Sequence, residues 1–201
     1  MSITINRMNI DDEQEIQKVI ELIYSTDDYI YPAMCDGDYK YFEKAAGKLL
    51  FIDSLFSHNN IDVARVEGHV AGILLTLDSS ARVPELQEFK ALGLEVRPCL
   101  VQTMANYFTH LVKEIAPDSL YINNISVSPD FKRRGVADAL LGYALRKADG
   151  RRVMLDCLEK NGPAVALYSK KFKITRRFNG YTGNNTSVVL PCLTFEAVLP
   201  F

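Results

Sequence analysis

Cysteine is scarce and scattered. The four cysteines, Cys35, Cys99, Cys157 and Cys192, form no C-x-x-C pair. That argues against a zinc site and a disulfide framework, so the chain is expected to hold no metal and to keep its thiols reduced. Cys157 lies in an apolar run and reads as core. The three histidines, His58, His69 and His110, share no spacing with acids or cysteines and read as structural or exposed. No apolar run approaches the roughly 20 residues of a bilayer-spanning helix. Residues 1–7 have no apolar signal core, so the expectation is a cytoplasmic protein without a membrane partner. Two phosphate-binding signatures are also missing: there is no G-x-x-x-x-G-K-[ST], and no G-x-G-x-x-G opening a helix. Internal repeats, low-complexity tracts and linkers are absent, and 201 residues at 48% hydrophobic content suit one globular domain, residues 1–201.

What is present begins at the centre of the carboxy-terminal half. An apolar run from Leu120 to Val127 stops at Pro129, and a cationic turn follows, Lys132-Arg133-Arg134-Gly135. An amphipathic helix is predicted directly after it, from Val136 to about Ala148, with Val136, Ala139, Leu140, Tyr143 and Ala144 on one face. The first amides of a helix lack internal acceptors and lie at the positive end of its dipole. Three cationic side chains beside them, and a glycine that admits close backbone approach, make this strand–turn–helix an anion site suited to phosphates.

The rest of the chain alternates strands and helices. Arg152–Leu158 reads as a buried strand, and a short helix is predicted from about Asn161 to Lys171 with Pro163 in its first turn. Strand, helix, strand implies a right-handed crossover between parallel strands. Upstream, Ile3–Arg7 reads as a strand. A helix capped by Asn9 or Asp11 follows, with Ile16, Val19, Ile20 and Ile23 as its buried stripe. Residues 24–32, dense in Tyr and Asp, read as a loop, and a second helix is predicted from Asp38 to about Phe56. Residues 63–75 read as a hairpin turning at Glu67-Gly68. Two helical pieces fill residues 83–116, with Pro98 starting the second. Lys173–Thr182 and Val188–Leu199 read as antiparallel strands joined near Gly183-Asn184-Asn185, with Pro191 marking an edge or a bulge. The whole is a mixed α/β fold.

Charge is unevenly distributed over a net −2. Residues 1–120 carry 10 Lys and Arg against 19 Asp and Glu, net −9; residues 121–201 carry 13 against 6, net +7. The second half suits a polyanion and the first a cation.

Two short patterns resemble the GNAT N-acetyltransferase superfamily. Lys132, Gly135 and Ala137 match its acyl-coenzyme A pyrophosphate loop, [Q/R]-x-x-G-x-[G/A], with Lys132 in place of Gln or Arg. About 30 residues on, Asn161, Ala164, Tyr168 and Lys170 match its N-x-x-A-x-x-x-Y-x-K helix. The resemblance is strong over residues 118–180. It implies a central mixed, mostly antiparallel sheet flanked by helices. Residues 1–117 would form a substrate-side half with a helical insertion, residues 118–180 the acyl-coenzyme A core, and residues 181–201 a carboxy-terminal strand. It implies acetyl-coenzyme A as cosubstrate, direct acetyl transfer to a primary amine of a small molecule or peptide, no nucleic-acid partner, and a homodimer as an option. Backbone groups of Asn124, Ile125, Ser126 and Val127 would hold the pantetheine arm, with the Ile125 N–H polarising the thioester carbonyl. The pyrophosphate would rest on Lys132, Arg133, Arg134, Gly135, Val136, Ala137 and Asp138. Asn161 would hydrogen-bond the arm, and Tyr168 would protonate the leaving thiolate.

Three departures are visible. The predicted central strand carries Asn123 and Asn124 but no acid, leaving Asp78, Asp156, a water relay or an amine that arrives partly neutral as the alternatives. Asp27 and Asp28 are candidates to attract a cation. The glycine that usually follows the second motif is missing at Lys171-Phe172-Lys173. Two other readings stay open: a silent acyl-coenzyme A binder, and a nucleic-acid binder using its basic half, which the overall pI near 5.9 counts against.

Overall fold

Alternation and turn chemistry build the sheet. In a computed structural model, which describes residues 2–180 and 190–197, β1 (Ile3–Arg7) is followed by α1 (Glu13–Tyr24), α2 (Ile30–Cys35) and α3 (Tyr39–Leu49). The strands β2 (Ile61–Val66) and β3 (His69–Leu77) form the predicted hairpin. Its two-residue turn puts Glu67 at φ 53° and Gly68 at φ 82°, the pair of positive dihedrals a type I′ turn requires. The helical stretch that follows comprises α4 (Leu86–Ala91), α5 (Pro98–Thr103), one π-helical turn (Met104–Phe108) and α6 (Thr109–Glu114). Then come β4 (Ser119–Val127), α7 (Val136–Lys147), β5 (Arg152–Leu158), α8 (Gly162–Tyr168), β6 (Lys173–Gly180) and β7 (Leu190–Ala197).

The seven strands lie in the order β1-β2-β3-β4-β5-β7-β6. Among the described strands only β4 and β5 are parallel, joined through α7. Two apolar clusters pack on opposite faces. One unites α1–α6 with Ile61, Val63, Ile73, Leu75 and Leu77. The other sets α7 and α8 on Leu74, Leu120, Ile122, Val153, Leu155 and Phe195. The alternation is clean along β5: Val153, Leu155 and Cys157 face α7 and α8, so Met154 and Asp156 face the α1–α6 side.

Several expectations are corrected. The cap of α1 is Asp12, whose carboxylate accepts from the amides of Gln14 and Glu15, while Asn9 accepts from Asp11 one turn earlier. The segment 24–32 is only partly loop, because Asp27 accepts from the amides of Tyr29 and Ile30 (2.6 Å each) and starts α2, with Pro32 in its first turn. The helix from Asp38 stops at Leu49 rather than Phe56, and the Leu50 carbonyl is taken by the backbone and ring of His58. Pro191 is the second residue of β7, a strand inside the sheet rather than at its edge. Its carbonyl accepts from the Glu159 amide just past the end of β5, so its missing N–H also faces that strand end and not β6. After α8 the chain turns without glycine: the amides of Lys171 and Phe172 both reach the Tyr168 carbonyl, and Phe172 is buried. The Gly183-Asn184-Asn185 turn lies outside the described residues.

Candidate active site

The site exists because β4 and β5 part company. They pair only at Ser119–Tyr121 with Arg152–Met154, then diverge. Opposite this point β4 carries a bulge against β3: Leu75 faces Asn124 and Thr76 faces Ile122, leaving Asn123 unpaired. A cavity of about 630 Å³ opens in the gap.

Backbone direction in the gap follows from one bond. The Ser128 N–H donates to the Ala71 carbonyl at 2.9 Å. Antiparallel alternation then commits the groups of Ser126 and Asn124 to β3 and turns those of Ile125 and Val127 away, towards the cavity both residues line. Ser126 does not line the cavity: its ladder partner is Ile73, and its Oγ sits 3.5 Å from that of Ser25.

The basic turn stands at one end of the cavity. Lys132 and Ala137 line it, and Arg133, Arg134 and Gly135 are exposed beside them. Gly135 caps α7 at φ 80°, a conformation that favours glycine, and a Cβ there would meet nothing within 4 Å, so it faces open space. Arg133 also has positive φ, 63°, which no sequence signal announced. The first helical bond runs from Ala139 N–H to the Gly135 carbonyl. Among the described residues no acceptor reaches the amides of Val136, Ala137 or Asp138. The Val136 side chain is buried, and the Asp138 carboxylate pairs with Lys171 at 3.4 Å, so both would act through their amides. Gly72 keeps this helix close: a Cβ there would sit 2.7 Å from the Ser126 carbonyl and about 3.1 Å from Val136.

On the same side, α8 presents Asn161 and Tyr168 to the cavity. The Asn161 Oδ1 caps α8 by accepting from Ala164 (3.3 Å), which leaves its amide NH₂ for a ligand. Tyr168 is 8% exposed, its ring edge-on to Phe195, and no described residue hydrogen-bonds its hydroxyl. Burial raises its pKa, then the neighbouring Cys157. Cys157 itself is pushed up to about 12 by burial and stays a thiol.

The opposite face is built from side chains of distant segments. Tyr31 donates to Asn124 Oδ1 (2.8 Å), which also accepts from Asn123 (2.7 Å). Tyr121 donates to Asp156 Oδ2 (3.1 Å), and Thr194 to Oδ1 (2.6 Å). Burial raises the carboxyl of Asp156, and burial likewise raises that of Asp27. Asp78, by contrast, is outside the cavity and is held low by hydrogen bonds from Ser80. At the rim Lys160 hydrogen-bonds the Tyr29 hydroxyl and lies 4.5 Å from its ring centroid. Tyr31, Tyr107, Tyr121, Thr194 and Lys160 were not legible as site residues. The Tyr and Asp density of residues 24–32 was the signal for Tyr31. Tyr107 gave none, because a π turn sets its direction.

The sequence signature of the Acetyltransferase (GNAT) family matches residues 38–173. The chain belongs to the GNAT acetyltransferase family. Its fold resembles an N-acetyltransferase from Staphylococcus aureus Mu50 (TM-score 0.67, 20% identity, 96% of this chain and 100% of that one). It also resembles the ribosomal-protein-S18-alanine N-acetyltransferase of Escherichia coli (0.57, 16%, 100% and 96%). A third likeness is to the NatC complex bound to Gag peptide and CoA (0.55, 14%, 100% and 100%). No curated protein sequence matches the chain. As the GNAT fold leads one to expect, the sheet is mixed and mostly antiparallel. No described helix is long and apolar enough to cross a membrane.

Proposed function

We propose that this GNAT protein transfers an acetyl group from acetyl-coenzyme A directly to a primary amine, within one acyltransferase domain whose residues 1–117 form the acceptor side. The observation that carries the reading is the cavity in the β4–β5 gap, with unpaired helix amides at one end and, opening into it, the hydroxyl of the buried Tyr168, which no described residue hydrogen-bonds. The residues fit the cosubstrate. Lys132, Arg133, Arg134 and the amides of Gly135, Val136, Ala137 and Asp138 would bind its pyrophosphate. Ile125 and Val127 would pair with the pantetheine arm, helped by the Asn161 amide.

The chemistry then falls to three groups of the chain. The Ile125 N–H stabilises negative charge on the thioester oxygen, a contribution of about 10²–10³ in rate for one such donor. Asp156, raised by burial and supported by Tyr121 and Thr194, takes the proton from the amine directly or through one water. The amine nitrogen bonds to the carbonyl carbon as the carbon–sulfur bond breaks. Tyr168, neutral at physiological pH, gives its proton to the departing thiolate. Asp156 supplies the acid that β4 lacks, which favours an enzyme over a silent binder. The test is calorimetric titration with acetyl-coenzyme A alongside thiol release over a panel of amines. One-to-one binding and amine-dependent thiol release are expected; no binding would overturn the proposal.

A further inference from the structure

The acceptor face carries more information than the reaction requires. Asp27 reaches the cavity from the α1–α2 connection, Asp156 from β5, and Asp28 also lines it. Tyr107 lies within electrostatic range of both Asp27 and Asp156. It is aimed there by the π turn, in which the Thr109 amide bonds back five residues to the Met104 carbonyl; the next residue, Phe108, is fully buried in the core. Such turns redirect a side chain at a cost in helical regularity and concentrate at functional sites. The hydroxyls of Tyr107 and Tyr168 have no hydrogen-bond partner among the described residues, so a ligand in this cavity has polar groups waiting for it.

The cations nearby are already engaged or sit elsewhere. Lys160 is held at the rim by Tyr29, and its charge also acts on Asp27. Arg176 approaches Asp156 from an adjoining cavity of about 320 Å³, but pairs with Glu114 at 3.5 Å and stacks on Phe178 at 4.8 Å. Glu196 in that same cavity pairs with Arg152 at 3.8 Å. Lys132 stands at the far end with the basic turn. An ammonium group entering here finds carboxylates and tyrosine faces, both attractive to it. A carboxylate entering here faces like charge from the half-buried Asp27 and Asp156.

Resting on the acetyltransferase reading, we infer that the acceptor is a primary amine with no carboxylate on the carbon that bears its nitrogen, received between Asp27 and Asp156 against Tyr107. Free α-amino acids are rejected, whereas their amides and decarboxylated amines are accepted; a peptide amino terminus has the same chemistry as the amide.

The test is calorimetric titration of the coenzyme A-loaded protein with leucine, leucinamide and 3-methylbutylamine. Leucinamide and 3-methylbutylamine are expected to bind at least about tenfold more tightly than leucine, and Asp156→Asn to shrink that ratio while acetyl-coenzyme A binding is retained. Leucine binding as well as or better than its amide would overturn the inference. So would the failure of all three to bind at millimolar concentration. The acetyl-coenzyme A titration on the same sample separates the two claims: its loss removes the acyl-transfer reading, whereas its persistence with leucine preferred removes only the acceptor class.

Discussion

The two sides of the β4–β5 gap are made of different materials. On the α7–α8 side the groups offered to a ligand are mostly backbone: the amides after Gly135 and those of Ile125 and Val127. On the α1–α6 side they are five side chains from four separate segments: Asp27 and Tyr31, Tyr107, Asn124, and Asp156. Backbone donors are fixed by secondary structure and cannot be exchanged by single substitutions. Side chains can be changed one at a time. A site that keeps one substrate constant and lets the other vary would be built in this way.

The largest effect is expected where the two sides meet at the reacting atoms. Tyr168→Phe keeps the ring against Phe195 but removes the proton donor, and should lower kcat by about 10²–10⁴ with little change in acetyl-coenzyme A affinity. Unchanged kcat in steady-state assays would remove Tyr168 from the chemistry. Asp156→Asn should cost a similar factor and also change the pH profile. A base must be ionised, so activity falls as pH drops through its pKa. Burial lifts that pKa above the ordinary 3.8, and the acid limb should lie above that value and disappear in the variant. Asp78→Asn, outside the cavity, should leave the limb in place.

Two further substitutions probe the frame behind the backbone side. Lys147, in the last turn of α7, bonds Asp62 (2.6 Å) on β2 and Thr76 (2.8 Å) on β3. Asp62 is 1% exposed, and its remaining partners are Tyr143 at 3.2 Å and Arg7 at 3.9 Å. Lys147→Ala strands this carboxylate and should cost about 3 kcal/mol in denaturant unfolding. Gly72→Ala forces a Cβ against the Ser126 carbonyl and should cost about 2 kcal/mol. It should also weaken acetyl-coenzyme A binding, because it displaces α7; a variant as stable as the parent would show that the close approach is not needed.

This difference in materials also explains what the sequence revealed. The backbone side is local: Lys132, Gly135 and Ala137 lie within six consecutive residues, and Asn161 and Tyr168 within one helix, so pattern alone placed them. The strands β4 and β5 and the helix α7 were legible because apolar periodicity sets each of them. The side-chain face depends on residues brought from positions 27, 107 and 156, a juxtaposition no window of sequence contains. That the backbone groups of Ser126 turn to β3 was not legible, because strand parity emerges only with the register. The helix start at Ile30 was missed because Pro32 reads as a breaker but occupies the first turn, where it is tolerated.

The central claim is that the turn at Gly135 holds the cosubstrate through its backbone. The most direct measurement is calorimetric titration of acetyl-coenzyme A into the parent protein and Gly135→Val, in which φ 80° becomes unfavourable although a side chain would meet nothing within 4 Å. The account predicts saturable one-to-one binding to the parent and an affinity at least about tenfold lower in a variant that remains folded. Equal affinity in the two proteins, or no binding to the parent, would contradict it.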